Sequence, residues 1–286
     1  MLRKIIALLL CAALLCAVAL AEADAPGNAM PAEDQPLKNR VAERVDEAAA
    51  DTPIENAPYV PDALDRVVVG ADDRVTVSNP NYYPYSAIAY MIVHARCGCD
   101  WSGSGFMVSP KGLVTASHCL VCTTHHQTAD QITLYFGYSS NRNYFYKYDG
   151  PTTYWYGDDF TTNGYDSEWD YGYVLLNERV GDRTGWFGVS VQNDYDIASK
   201  YLTVAGYRDG VLKYDYDFVD IVNANLIRYT ADTQPGNSGG PVFFYGDNDI
   251  FATAINVSES ISEQRNYARR INSALFYDMQ ANGLFD

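Results

Sequence analysis

Positive charge is scarce in this sequence. Twenty lysines and arginines stand against 36 aspartates and glutamates over 286 residues, a formal net charge of −16. So acidic a chain lacks the basic patches needed to hold a phosphate backbone, and nucleic acid is excluded as a partner. Beyond the N-terminus no apolar run reaches the length of about 18 residues that a membrane-spanning helix needs, so no membrane span is expected in the mature protein. No convincing internal repeat recurs. Histidine is rare too: His94, His118, His125 and His126 are the four, and none follows. Tyrosine is abundant, with 24 residues. Together with threonine, valine and short alternating runs, it leans towards β structure.

The first residues read as a leader. Arg3 and Lys4 precede the apolar stretch Ile5 to Leu20, and Ala19-Leu20-Ala21 fits a small-residue cleavage site. Residues 1–21 are therefore expected to be a signal peptide and the protein to be secreted and extracellular. Residues 22–66 are rich in Ala, Pro, Asp and Glu, with Tyr59 as their one aromatic residue. Such a stretch buries too little to order itself. It is expected to be a disordered pro-segment, with at most a short helix within Leu37 to Ala50. After Asp65-Arg66 the sequence changes abruptly to Val67-Val68-Val69-Gly70, so the folded domain is expected over 67–286.

From Val67 onward short β-like runs alternate with turns. They include Ala87 to Val93, Leu113 to Ala116, Ile132 to Phe136, Tyr171 to Leu176, Tyr201 to Tyr207, Phe218 to Val222, Pro241 to Tyr245 and Phe251 to Asn256. Regular spacing of this kind predicts an all-β sandwich or barrels, and the length fits two small barrels better than one. Only the end reads as helix: Ile271, Leu275 and Met279 recur at i, i+4, i+8, with Gly283 as a stop.

The chemistry gathers around Gln234-Pro235-Gly236-Asn237-Ser238-Gly239-Gly240-Pro241-Val242. A serine hydroxyl is a weak nucleophile until a base takes its proton. Glycines beside it let the backbone turn so that N–H groups converge where they can hold an oxyanion. Ser238 is the candidate nucleophile, with the Gly236 and Ser238 N–H groups as the oxyanion hole. His118, at the end of the apolar strand in Leu113-Val114-Thr115-Ala116-Ser117-His118-Cys119, is the candidate base. Asp170, at the mouth of Tyr171-Gly172-Tyr173-Val174-Leu175-Leu176, is the carboxylate that would orient it. Asp158, Asp159 and Asp166 lie in turn-like sequence and are weaker candidates. Gly236-x-Ser238-x-Gly240 also matches the nucleophile elbow of α/β-hydrolases, but that fold needs its histidine after the serine, and none follows.

Of six cysteines, Cys11 and Cys16 leave with the leader. Cys97, Cys99, Cys119 and Cys122 remain, with His118, His125 and His126 nearby. That set could bind zinc. Secretion favours disulfides instead, so no metal is expected. The pairing is open between Cys97–Cys119 with Cys99–Cys122 and the crossed alternative.

His118 in Thr115-Ala116-Ser117-His118-Cys119, Asp170 before an apolar strand and Ser238 in Gly236 to Pro241 resemble the trypsin-like serine peptidases. The likeness is closer to their bacterial secreted branch, the glutamyl endopeptidases, and covers essentially residues 67–286. Val67 to Arg74, Tyr82 to Ala89, Val108 to Lys111, Trp169 to Gly172, Gly185 to Gly188 and Asp232-Thr233 carry it further. The resemblance implies two six-stranded β-barrels with the active site in the cleft between them and a C-terminal helix. The barrels would span about 67–178 and 179–268, and the helix about 271–282. It implies a monomeric endopeptidase made as a zymogen, acting on protein or peptide substrates without a cofactor. The sequence does not fix a calcium site. The family's usual bridge joins the strand before the histidine to Cys119. In the family a glutamate side chain is held by the new N-terminal ammonium, a threonine and a pocket histidine. The matching positions here are Val67, Thr233 and Asn256, with Arg269 or Arg270 as a further source of charge, of which Arg270 is preferred. Asn256 in place of histidine predicts only a residual preference for acidic residues. A peptidase with apolar or basic preference, and a non-catalytic binding module on the same fold, are the alternatives.

Overall fold

The computed structural model describes residues 40–45, 68, 71–139, 141–247 and 249–286. The expected leader (1–21), the junction at Arg66–Val67 and most of 22–66 lie outside the described residues. Within 22–66 one element is described, and it stands where a short helix was expected within Leu37 to Ala50. Residues Arg40–Val45 form a strand, β1.

Ten strands precede residue 180: β1, β2 (Val75–Thr76), β3 (Ile88–Ala95), β4 (Asp100–Met107), β5 (Gly112–Thr115), β6 (Val121–Cys122), β7 (Gln127–Phe136), β8 (Tyr146–Tyr148), β9 (Thr152–Gly157) and β10 (Gly172–Leu176). A short helix, α1, spans Asp158–Thr162. All of these strands but β2 make one nine-stranded curled sheet, ordered β1-β9-β10-β5-β4-β3-β7-β6 with β8 beside β7. β1 runs antiparallel to β9, with Arg40 opposite Gly157 and Val45 opposite Thr152. The edge strand β9 thus finds partners for backbone groups that would otherwise face solvent.

The rest of the chain forms α2 (Gly181–Thr184), β11 (Gly188–Val189), α3 (Asp194–Ala198), β12 (Leu202–Arg208), β13 (Val211–Asp217), β14 (Asp220–Ile221), β15 (Leu226–Tyr229), β16 (Pro241–Tyr245), β17 (Ile250–Ser260), β18 (Arg265–Arg270) and α4 (Ser273–Ala281). The second sheet runs β14-β15-β18-β17-β16-β12-β13-β2, with β11 beside β17. β2 therefore belongs to the second sheet and not the first, because Lys213 and Tyr214 on β13 offer it an edge. The first sheet has seven strands of four residues or more and two shorter ones, the second six and three, and together they are the expected pair of curled barrel-like sheets.

Why the strands form is mostly simple. β3 and β12 are apolar and buried along almost their whole length, so they read as strands enclosed on both faces. β4, Asp-Trp-Ser-Gly-Ser-Gly-Phe-Met, is at least as buried but reads poorly. Its small residues admit neighbours: a Cβ built on Gly103 would lie 2.7 Å from Cys119 Sγ. The first core contains Ile88, Met91, Phe106, Phe136, Tyr154 and Tyr173 together with Ile271, Leu275, Met279 and Leu284 from the end of the chain. The second is built on Ile197, Val204, Ile227, Val242, Ala254 and Ala268. α4 starts where the Asn272 side chain accepts the Leu275 N–H at 3.1 Å, an N-cap. It stops before Gly283, at φ +72°. Burying Leu275 and Met279 contributes about 1.5–3 kcal/mol each. The Tyr173 hydroxyl donates to Asp278, and Ser109 Oγ donates to the Leu284 carbonyl at 2.5 Å. The helix that follows the second sheet is thereby fastened to the first. No helix among the described residues is long and apolar enough to cross a membrane.

Candidate active site

β5 positions His118, the candidate base. It ends at Thr115, and Ser117–Cys119 make a 3₁₀ turn that lifts His118 off the strand. Ser117 Oγ fixes that turn by donating to the Tyr171 carbonyl at 2.6 Å. Ser167–Trp169 form a second 3₁₀ turn, capped by the Asp166 side chain, and Asp170 follows it immediately. His118 Nδ1 lies 2.6 Å from Asp170 Oδ2, and the His118 N–H donates to Asp170 Oδ1 at 3.1 Å. Both oxygens of one buried carboxylate thus fix the ring and its own backbone. Burial disfavours the imidazolium. The Asp170 charge and hydrogen bond outweigh that, and the net effect is to raise the His118 pKa above the usual imidazole range. The Phe160 ring, on α1, lies 6.3 Å from the His118 ring and is itself buried.

The loop around Ser238, the candidate nucleophile, is held from three sides. Gly236 at φ +97° and Gly239 at φ +77° bend the chain before and after Ser238. At Gly236 a Cβ would meet the Tyr207 carbonyl at 2.8 Å, so only glycine keeps this loop against β12. From the first sheet, the Ser104 N–H donates to the Ser238 carbonyl at 2.7 Å and Ser104 Oγ donates to the Gly236 carbonyl at 2.9 Å. From β17, Asn256 accepts the Gly239 N–H at 2.8 Å and donates its own N–H to the Gly240 carbonyl at 2.9 Å. From the N-terminal side, the buried Arg74 donates to Asn237 Oδ1 at 3.0 Å while its fork holds Asp72 at 2.8 and 2.9 Å. Neither Arg74 nor Phe160 is singled out by sequence pattern. A guanidinium within Asp72-Asp73-Arg74 looks like a surface charge until the fold buries it.

Of the two expected pocket residues Thr233 and Asn256, Asn256 borders this loop and is engaged already. Tyr229 Oη donates to its Oδ1 at 2.8 Å, and its Nδ2 donates to the Asn237 carbonyl at 3.1 Å. It braces the loop. Thr233 is fully buried, and its Oγ1 has no hydrogen-bond partner. Val67 lies outside the described residues. Arg270 is not brought to the loop, which corrects its expected place in the pocket. Its Nη1 donates to Asp194 at 2.7 Å and to the Asn223 carbonyl at 3.1 Å, and its Nη2 donates to the Gln192 carbonyl at 3.0 Å. Successive strand residues face opposite ways. Arg269 accordingly lies fully buried with its guanidinium 5.4 Å from the Tyr171 ring centre. Burial pushes its pKa down to about 10, so it remains charged at neutral pH.

Among the described residues no disulfide joins the four cysteines. Cys97, Cys99, Cys119 and Cys122 are all free thiols. Cys119 Sγ points to the Ser238 carbonyl at 3.5 Å, and the residue facing it from β4 is Gly103, which has no sulfur to offer. Among the described residues two groups have metal-ligand spacing: Cys97, Cys99, Cys122 and His125, and the carboxylates Asp73, Asp215 and Asp232.

The trypsin-like peptidase domain family matches residues 103–250. The chain is 27% identical over 218 residues to the extracellular metalloprotease of Bacillus subtilis, covering 74% of this chain and 68% of that one. It is 30% identical over 188 residues to the glutamyl endopeptidase of Bacillus licheniformis, covering 62% of this chain and 54% of that relative, little more than half its length. Among solved structures, a Glu endopeptidase in complex with MPD superposes with a TM-score of 0.61 at 19% identity, over 76% of this chain and 99% of the other. The protease Anisep from Arthrobacter nicotinovorans does so with a TM-score of 0.55 at 17% identity, over 68% and 94%. At such identities the superpositions speak for the fold. The chain belongs to the trypsin-like peptidases and is a serine peptidase of the chymotrypsin fold.

Proposed function

We propose that the protein is a secreted endopeptidase, made as a zymogen, that cleaves peptide bonds with Ser238, His118 and Asp170. The observation that carries this is the two-point grip of Asp170 on His118, at 2.6 and 3.1 Å, on a turn directly before the nucleophile's barrel neighbour Cys119. Asp170 holds the Nδ1–H tautomer, leaving Nε2 as the base for the Ser238 hydroxyl. The imidazolium formed then protonates the leaving amine. The Gly236 and Ser238 N–H groups receive the oxyanion. One relative is named an extracellular protease, which supports secretion. Its name also says metalloprotease; the reading here rests on a serine, a histidine and an aspartate.

The zymogen reading rests on the composition change at Arg66–Val67 and on Arg74, which links the first residues of the domain to Asn237. Cleavage at that junction frees Val67. For specificity, the relative named glutamyl endopeptidase and the unpartnered Thr233 hydroxyl favour an acidic side chain before the scissile bond. Because Asn256 bonds inward, the preference over Gln is small. The test is labelling of the purified protein, with processing at Arg66, by a fluorophosphonate. Wild type labels, Ser238→Ala does not, and peptide hydrolysis follows labelling. Undiminished hydrolysis by Ser238→Ala refutes the mechanism.

A further inference from the structure

Three thiols and an imidazole outside the catalytic constellation converge at one end of the first sheet. Cys97 and Cys99 lie in the turn between β3 and β4, Cys122 ends β6, and His125 lies in the turn that follows. The first turn closes on itself, Gly98 N–H donating to the Ala95 carbonyl at 2.8 Å and Ala95 N–H to the Cys99 carbonyl at 2.9 Å. The second curls through His126, at φ +53°, whose N–H donates to the Cys122 carbonyl at 2.8 Å and so brings His125 back over Cys122. The Arg96 N–H, donating to the Thr128 carbonyl at 3.2 Å, holds the turns side by side.

His125 Nδ1 lies 3.3 Å from Cys99 Sγ and 3.6 Å from Cys122 Sγ. These three atoms and Cys97 Sγ are all within 4.8 Å of one another. Around a tetrahedral zinc, with Zn–S near 2.3 Å and Zn–N near 2.0 Å, ligand atoms lie about 3.5–3.8 Å apart. We propose that Cys97, Cys99, Cys122 and His125 bind one zinc ion, in a structural site of Cys₃His type formed by Cys97-x-Cys99 and Cys122-x-x-His125.

The donor set selects this over other occupants. Thiolates and imidazole suit zinc and repel calcium or magnesium, which take oxygen ligands. Three sulfurs cannot all pair as disulfides, and Cys119, the fourth cysteine, is turned to the Ser238 carbonyl. On binding, the three thiols each release a proton, and the site carries one net negative charge. Four protein ligands leave no open position for a water, so the ion holds structure and takes no part in hydrolysis. Its mechanical effect is to clasp the turn behind His118, whose chain reaches Cys122 four residues later, to the β3–β4 turn.

The experiment uses the full chain purified without chelator. Metal analysis should find about one zinc per chain. Replacement by cobalt should give a sulfur-to-cobalt charge-transfer band and the intense ligand-field absorption of a tetrahedral centre. Cys97→Ser and His125→Ala should each lose most of the metal, whereas Cys119→Ser should keep it. Mass under denaturing, non-reducing conditions should equal that of the free thiols. An intact mass showing a bridge among Cys97, Cys99 and Cys122, wild-type protein without zinc and without the cobalt spectrum, or full zinc in both Cys97→Ser and His125→Ala would overturn the proposal. If the variants do not fold, the wild-type stoichiometry, cobalt spectrum and mass still decide.

Discussion

Arg74 and Asn237 stand 163 positions apart in the chain and 3.0 Å apart in space. The guanidinium is buried, is charge-paired to Asp72, and touches the residue beside the proposed nucleophile. Arg74→Ala removes a charge-assisted bond worth about 1.5–3 kcal/mol. We expect a lower melting temperature and a loss of roughly tenfold or more in kcat/KM, with Arg74→Lys intermediate because it keeps charge without the fork. Unchanged kcat/KM in Arg74→Ala would show that the loop needs no such tether.

The same pair sets an acid limit. Hydrogen bonding to Arg74 holds the Asp72 carboxyl well below the usual carboxylate range. A folded-state value below the unfolded one gives stability that is present above about pH 3.9 and lost as pH falls towards the folded value. Wild type should therefore lose more stability between pH 5 and about pH 3 than Arg74→Ala does. Parallel melting curves across that range would count against the pairing.

His118 makes an opposite prediction. Its folded pKa is raised, so the stability from its pairing with Asp170 is complete below about pH 6.5 and is lost as pH rises through the folded value. As a base it must be neutral, so the acid limb of kcat/KM should lie above about 6.5. Asp170→Asn should lower the limb and cut the rate on the order of 10⁴-fold. A limb unmoved by that substitution would remove Asp170 from the mechanism.

Thr233→Val separates specificity from folding. The Thr233 hydroxyl is buried without a partner, so an isosteric valine should leave stability unchanged or slightly higher. The ratio of kcat/KM for Glu over Leu peptides should fall several-fold, on the scale of one lost hydrogen bond. An unchanged ratio would place substrate recognition elsewhere.

Gly103 and Cys119 offer a further test of the barrel geometry. A Cβ at Gly103 would lie 3.6 Å from Cys119 Cβ, inside the range that disulfides span. Gly103→Cys should form a bridge to Cys119, closing a loop whose cross-link contributes about 3 kcal/mol. Mass spectrometry of proteolytic peptides and melting with and without reductant would read it. Free thiols at both positions would show that β4 and the His118 turn lie further apart.

What the sequence made legible is what local pattern controls. Apolar runs located β3, β10, β12, β16 and β17, and the helical spacing of Ile271, Leu275 and Met279 located α4. Ser238, His118 and Asp170 stood out because glycines or apolar strands framed each of them. The rest depended on register between distant segments. Arg270 reads as a pocket residue until Asp194 is found beside it. Cys119 reads as half of a disulfide until β4 presents Gly103 to it. Strand β1 could not be foreseen, because its partner edge on β9 is a property of the folded sheet.

Ile271, Leu275, Met279 and Leu284 sit in the core of the sheet that begins the domain, and Asp278 bonds to Tyr173 within it. A chain emerging N-terminus first can assemble β3 to β10 long before that hydrophobic plug exists. The barrel bearing His118 and Asp170 then waits, incompletely filled, for residues that follow Ser238 by three strands, β16 to β18. A nascent chain halted at β18 would therefore lack the plug that fills the sheet carrying His118 and Asp170.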